Sequence, residues 1–281
     1  MPPAFASDVE FNKLVSGRND VDLVELMLEF AADAYPDIDR ARQLAEIDRL
    51  GELARRRIAD LDIEDASLAD RLQALSRLLY EEERFQGNED AYYDPRNSYL
   101  NEVLARRTGI PISLAIVYMA VAARAGVRTF GVAAPGHFVV GAREARECWF
   151  IDPFHRGLVL GREECRRRIE QVLGESGVLG DEHFRPASSR EIGARVLRNL
   201  KAAYVMDSQW ALALPVQQRL VLLLADAPDE RRDLGLMYLR NGRPMQAISL
   251  LEPYLANCSG SQAEAVEPYL RAARRLAAEL N

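Results

Sequence analysis

The chain is short of cysteine, of phosphate-binding glycine loops, of long apolar runs and of positive charge. Among 281 residues there are three cysteines, Cys148, Cys165 and Cys258. An odd number without C-x-x-C spacing argues against a disulfide framework and against a cysteine zinc site; reduced thiols in a cytoplasmic protein are expected. Neither G-x-G-x-x-G nor G-x-x-x-x-G-K occurs, so nucleotide-dependent chemistry is not suggested, and no cofactor is expected. The longest apolar run, IPISLAIVYMAVAA at 110–123, is bounded by Arg107 and Arg124 and is too short to cross a bilayer. The first residues, MPPAFASDVEFNKLV, lack the basic-then-apolar order of a secretory signal. A membrane is therefore not an expected partner. The net charge of −7 speaks against nucleic acid as well.

What is present is mostly helical pattern. Leu23, Leu26, Met27 and Phe30 recur at helical spacing in 23–35, and Tyr35-Pro36 should end that helix. Residues 41–61 carry Leu44, Ile47, Leu50 and Leu53 on one stripe; 67–85 carry Leu68, Leu72, Leu75 and Leu79. A turn-rich stretch with Phe85, Tyr92 and Tyr93 follows, and it should run into a short helix at 97–106. On that helix Asn97 and Asn101, four apart, share a face. They either line a cleft or brace the aromatic loop before them. From Thr108 the pattern predicts a helix capped by Thr108 or Gly109, with Pro111 in its first turn and Gly126 as its stop. That helix is apolar almost all round, which implies burial.

Three strands are predicted next, at 128–134, 137–142 and 147–153, from their aromatic and β-branched content. A buried helix followed by an antiparallel meander makes an α+β core. Residues 161–174 read as a connecting helix, and everything after about 190 is helical again. There Leu200 and Leu234, Tyr204 and Tyr238, and Ala213 and Ala247 recur at a spacing of 34. This period resembles the tetratricopeptide repeat, which implies a surface for a partner protein.

His137 follows Pro135-Gly136, and Asp152 ends the run ECWFID. Together they are two thirds of a catalytic triad. The order of helix, His-bearing strand and Asp-bearing strand resembles the transglutaminase-like branch of the papain-type cysteine hydrolases. In that family a Cys at the start of the buried helix is paired by a His that an Asp orients. Gly109, Ala115 and Gly126 fit the family's helix frame, His137 takes the His place and Asp152, followed by Pro153, takes the Asp place. The Cys place falls on Pro111, which supplies no nucleophile. Ser113, two residues on, lies about 200° round the helix. Cys148 lies roughly 13 Å from Asp152 along an extended strand. Cys165 and Cys258 fall on helices outside the core.

The stretch NSYLNEVLARRTGIPISLAIVYMAVAARAGV, then PGHF, then FIDPF, then a two-repeat helical tail, resembles the SirB-type bacterial family of transglutaminase-like proteins with tetratricopeptide repeats. The resemblance implies a helical segment at 1–95 packed on a transglutaminase-like core at 96–185, and a repeat tail at 186–281. Three roles stay open for His137 and Asp152: a structural hydrogen bond, a ligand-reading pair, or a base that activates water. The expected function is a non-catalytic module that binds a peptide or protein through the cleft, including Asn97, Asn101 and Pro111, and through the tail. The alternative is an amidase, protease-like hydrolase or acyl-transferase working without a thiol. His155 would complete a set of two histidines and a carboxylate, but its place in a turn predicts a surface residue, and no metal is expected.

Overall fold

The computed structural model describes residues 5–61, 66–145, 147–174 and 179–280. The chain divides into two compact units, 1–196 and 197–281, with the division inside one helix, Ser189–Met206.

The first unit begins with α1 (Val9–Val15), α2 (Leu23–Ala32), α3 (Arg40–Ala59) and α4 (Leu68–Ser76). Their starts are written in the sequence. Asp22 accepts the backbone N–H groups of Val24 and Glu25 at 2.8 and 3.2 Å, Asp39 accepts that of Arg42 at 3.0 Å, and Ser67 with Asp70 forms a capping box. Helix α2 stops at Ala32, ahead of the Tyr35-Pro36 step. Helix α4 passes into a π turn, Arg77–Glu82, where a continuous α-helix was expected. That turn carries the buried Tyr80.

Two short strands, β1 (Gln86–Gly87) and β2 (Thr108–Gly109), pair in parallel. Between them lie a 3-10 turn, Pro95–Asn97, and α5 (Leu100–Arg106). Asn97 and Asn101 therefore do not share a helix as expected: Asp94 closes the first turn by accepting the Arg96 N–H at 2.9 Å, and the α-helix restarts only after Tyr99. Helix α6 (Pro111–Arg124) is buried at every residue from Pro111 to Tyr118. Its N-cap is Ile110, not Thr108 or Gly109, and Ser113 accepts the Ile110 N–H at 3.1 Å. Gly126, with φ +80°, follows its end. Helix α3 packs along α6, and Arg55 donates to the Arg124 carbonyl at 2.6 Å.

The sheet is an antiparallel meander of β3 (Thr129–Val132), β4 (Val139–Glu144), β5 (Glu147–Asp152) and β6 (Leu158–Leu160). Val132 opposes Val139, Val140 opposes Ile151 and Asp152 opposes Leu158. The fourth strand was not expected, because three residues carry too little pattern. His137 precedes β4 by two residues and lies in the turn, not on the strand. Helix α7 (Arg162–Leu173) closes a core of Val132, Val139, Phe150, Leu160, Cys165 and Ile169. Cys165, expected outside the core, is inside it because α7 turns its apolar stripe onto the sheet.

In the second unit the C-terminal part of α8 (Ser189–Met206) is followed by α9 (Trp210–Leu223), α10 (Pro228–Arg240), α11 (Pro244–Ala256) and α12 (Ser261–Glu279). The residues spaced by 34 are those that pack: Leu200, Leu234, Tyr204, Ala213 and Ala247 are buried. Gly235 lets α10 approach α11, since a Cβ there would lie 2.8 Å from Leu251. A polar knot adds to the apolar core. Gln217 donates to the Glu230 carbonyl at 2.7 Å and to its carboxylate at 2.9 Å, and Lys201 bridges Glu230 and Asp233. The repeat tail and the α+β core are thus both present.

Candidate functional site

The site is built on the turn that follows β5. Asp152 is the last residue of that strand and is 2% exposed. Its Oδ1 accepts the backbone N–H groups of Phe154 and His155, each at 3.2 Å, which folds the chain back over the carboxylate. The turn needs Gly157. Its φ is +64°, and a Cβ there would lie 2.3 Å from the Tyr80 ring. The π turn therefore supplies the wall against which the Asp152 turn is pressed.

Asp152 Oδ2 receives two imidazoles. His137 Nε2 lies 3.0 Å away and His155 Nδ1 lies 2.8 Å away, with the rings 5.8 Å apart. His137 is 5% exposed, while the His155 side chain is 42% exposed. His155 was expected on the surface apart from the pair; the Asp152 turn brings it three residues back onto the same oxygen. Burial alone would raise the Asp152 carboxyl, but the hydrogen bonds and charges of His137 and His155 outweigh it and hold the group well below the ordinary carboxylate value. The same bond raises His155 above the ordinary histidine value against its partial burial. A cavity of about 190 Å³ opens beside the trio, lined by His137, Asp152, His155, Arg168, Gln171 and Val172.

Against an ionised carboxylate, His137 Nε2 is the donor, and a neutral ring in that tautomer has its lone pair on Nδ1. This is the tautomer of a general base. The donors of His137, Asp152 and His155 also lie within 4.8 Å of one another, a set able to hold a divalent cation. The 2.8 and 3.0 Å separations are hydrogen-bond lengths.

The other candidates are placed differently. Pro111 is the first residue of α6 and is buried. Contacts lead from that helix start to the Asp152 turn: Gly109 pairs with Gly87, and a Cβ on Gly87 would meet the Phe154 ring at 2.6 Å. Ser113 donates to the Asn97 carbonyl at 2.6 Å while accepting from Ile110. Asn97 is fully buried; its amide donates to the Ala91 and Tyr92 carbonyls at 2.7 and 3.2 Å, and its oxygen accepts from Asn88 at 3.0 Å. These bonds fasten the aromatic loop. Asn101 keeps a buried Oδ1 without a hydrogen-bond partner among the described residues. The Cys165 thiol is pushed up to about 12, chiefly by burial, so it is not an activated nucleophile. Cys148 packs against the same core, and Cys258 lies in the second unit, packed beside its helices.

Residues 41–198 match the transglutaminase-like superfamily, and 200–278 match the tetratricopeptide repeat. The chain belongs to the transglutaminase-like superfamily. Its relatives place it in the SirB-type branch. A UPF0162 protein of Xylella fastidiosa is 36% identical over 83% of each chain. Protein SirB1 of Salmonella typhimurium is 26% identical over 76% of this chain and 78% of its own. The human F-box only protein 21 is 32% identical over 57% of this chain, which is 26% of that longer protein. No solved structure matches. Among the described residues of this transglutaminase-like chain, no helix is long and apolar enough to cross a membrane.

Sequence reasoning set His155 beside His137 and Asp152 only as a possible metal set and left it on the surface; its bond to Asp152 was the part not foreseen. An Asp-Pro-x-His turn can return the histidine to the aspartate, but only if the aspartate's other oxygen caps the turn. That condition depends on the Gly157–Tyr80 contact, which is remote in sequence.

Proposed function

We propose that this transglutaminase-like protein is a cytoplasmic, non-catalytic binding module. Its cleft holds a peptide or protein segment through the His137–Asp152–His155 group, and its repeats engage a partner protein. Pro111 stands where the active branch of the family has its sulfur. One observation carries this reading: the polar half of a hydrolase site is complete and faces a cavity, while the helix start that would supply the nucleophile is closed by Pro111 and by a Ser113 committed to backbone groups. Binding needs the first half only.

The test pairs turnover with capture. Peptides selected on the intact protein from a random display library should bind His137→Ala at least tenfold more weakly. Ammonia release and cross-linking of glutamine-containing peptides should stay at background for both proteins. A second reading rests on the Asp152-bound His137 ring as a base that activates water for amide hydrolysis. Turnover that disappears in His137→Ala would establish that reading and overturn the binding module.

A further inference from the structure

Arg195 is a partly buried guanidinium placed on the turn that carries His137. It projects from the first part of α8, within the first unit. One Nη1–H donates to the Ala134 carbonyl at 2.8 Å, and the guanidinium carbon lies 5.7 Å from the Phe138 ring centroid. The same Ala134 carbonyl accepts the backbone N–H of His137 at 3.3 Å. The guanidinium is thus separated from the His137 backbone by no more than two hydrogen bonds laid end to end.

No carboxylate among the described residues pairs with Arg195. Its ionisable neighbour is the Tyr92 phenol, and burial lowers the guanidinium below the ordinary arginine value. Arg168, at the edge of the cavity, differs: it bonds Glu164 at 3.1 Å. Taking a guanidinium out of water is costly unless an anion compensates it. The Tyr92 ring stands 6.1 Å from the Phe154 ring, which stands 5.4 Å from His155. A run of ring contacts therefore joins the neighbourhood of Arg195 to the histidine pair.

We propose that Arg195 anchors a carboxylate on the ligand of this site, either a peptide C-terminus or an acidic side chain. This rests on the binding reading above and names its ligand class. A planar fork of N–H donors matches the two oxygens of one carboxylate. A phosphate dianion fits less well, because the ionised Asp152 lies beyond His137. The carboxylate fixes the end of the ligand, and the adjoining segment runs past His137.

The probes are N-acetylglycine and its amide, titrated into the full chain labelled with nitrogen-15. The signals followed are the Arg195 Nε–H and the His137 ring. N-acetylglycine should move both saturably, and the amide should bind at least tenfold more weakly. Arg195→Lys keeps the charge and the reach to Ala134 but loses the fork; it should weaken N-acetylglycine binding tenfold or more while the rest of the spectrum stays in place. N-acetylglutamate α-amide, binding as N-acetylglycine does, would show that a side-chain carboxylate also serves. Equal binding of acid and amide, tighter binding of inorganic phosphate, or an unchanged affinity in Arg195→Lys would each overturn the assignment. Turnover lost in His137→Ala beside an intact carboxylate preference would overturn the binding module and leave the anchor standing.

Discussion

At the start of α6, the Ser113 hydroxyl is spent on the backbone groups of Asn97 and Ile110, and a proline fills the first helical position. At the Asp152 turn, two imidazoles and two backbone N–H groups converge on one buried carboxylate. A cysteine hydrolase needs both ends. Here one end is packing and the other is charged. Buried ion pairs are often replaceable by apolar residues at no loss of stability, so packing alone does not call for a carboxylate between two histidines. The proposed binding role accordingly rests on the Asp152 end.

Removing the acceptor should produce the largest effect. Asp152→Ala strands both imidazoles and the turn's N–H groups, and should cost about 3–5 kcal/mol in urea unfolding. A loss below about 1 kcal/mol would mean that the turn does not depend on its carboxylate, and the contrast between the two ends would break. Ser113→Ala should be milder, about 1–3 kcal/mol, because it leaves a buried carbonyl and an N–H short of a partner. The His137 ring signals should not move. A variant of normal stability that no longer binds captured peptides would instead place Ser113 in the working site.

The smallest effect is in pH. The folded value of His155 is raised by Asp152, so its contribution is fully present below the unfolded value of about 6.5 and fades as pH rises through the folded value. Asp152 runs the other way: its lowered value makes its contribution present above about 3.9 and lost as pH falls through the folded value. His155→Ala should therefore lose about 0.5–1 kcal/mol near pH 6, a modest figure because the ring is half exposed, and little at pH 9. Equal losses at the two values would make the His155 contact a neutral hydrogen bond.

Much of this was legible in the chain. Pro111 at the start of an apolar run and Gly126 at its end bound α6 within a residue or two, because each has a backbone preference that acts locally. The spacing of 34 fixed the tail, because a stacked repeat must bury equivalent positions. The π turn at Arg77–Glu82, the three-residue β6 and the parallel pairing of Gln86–Gly87 with Thr108–Gly109 left no local mark. His137 and Asp152 were visible through the turn and strand that hold them. His155 was named beside them but left on the surface, and Arg195 was not seen at all, since what matters about each is a partner set by tertiary contact: the shared Asp152 oxygen for one, the shared Ala134 carbonyl for the other.

In the proposed reading, Pro111 occupies the place that the sulfur has in the active members of the family, within reach of His137. Pro111→Cys tests it directly through the pH dependence of iodoacetamide alkylation at the new thiol, compared with the same cysteine in a His137→Ala background. The expected thiol pKa is below about 7.5, from the helix start and the imidazole, and returns toward about 8.5 when His137 is removed. A thiol that titrates near 8.5 in both backgrounds would contradict it.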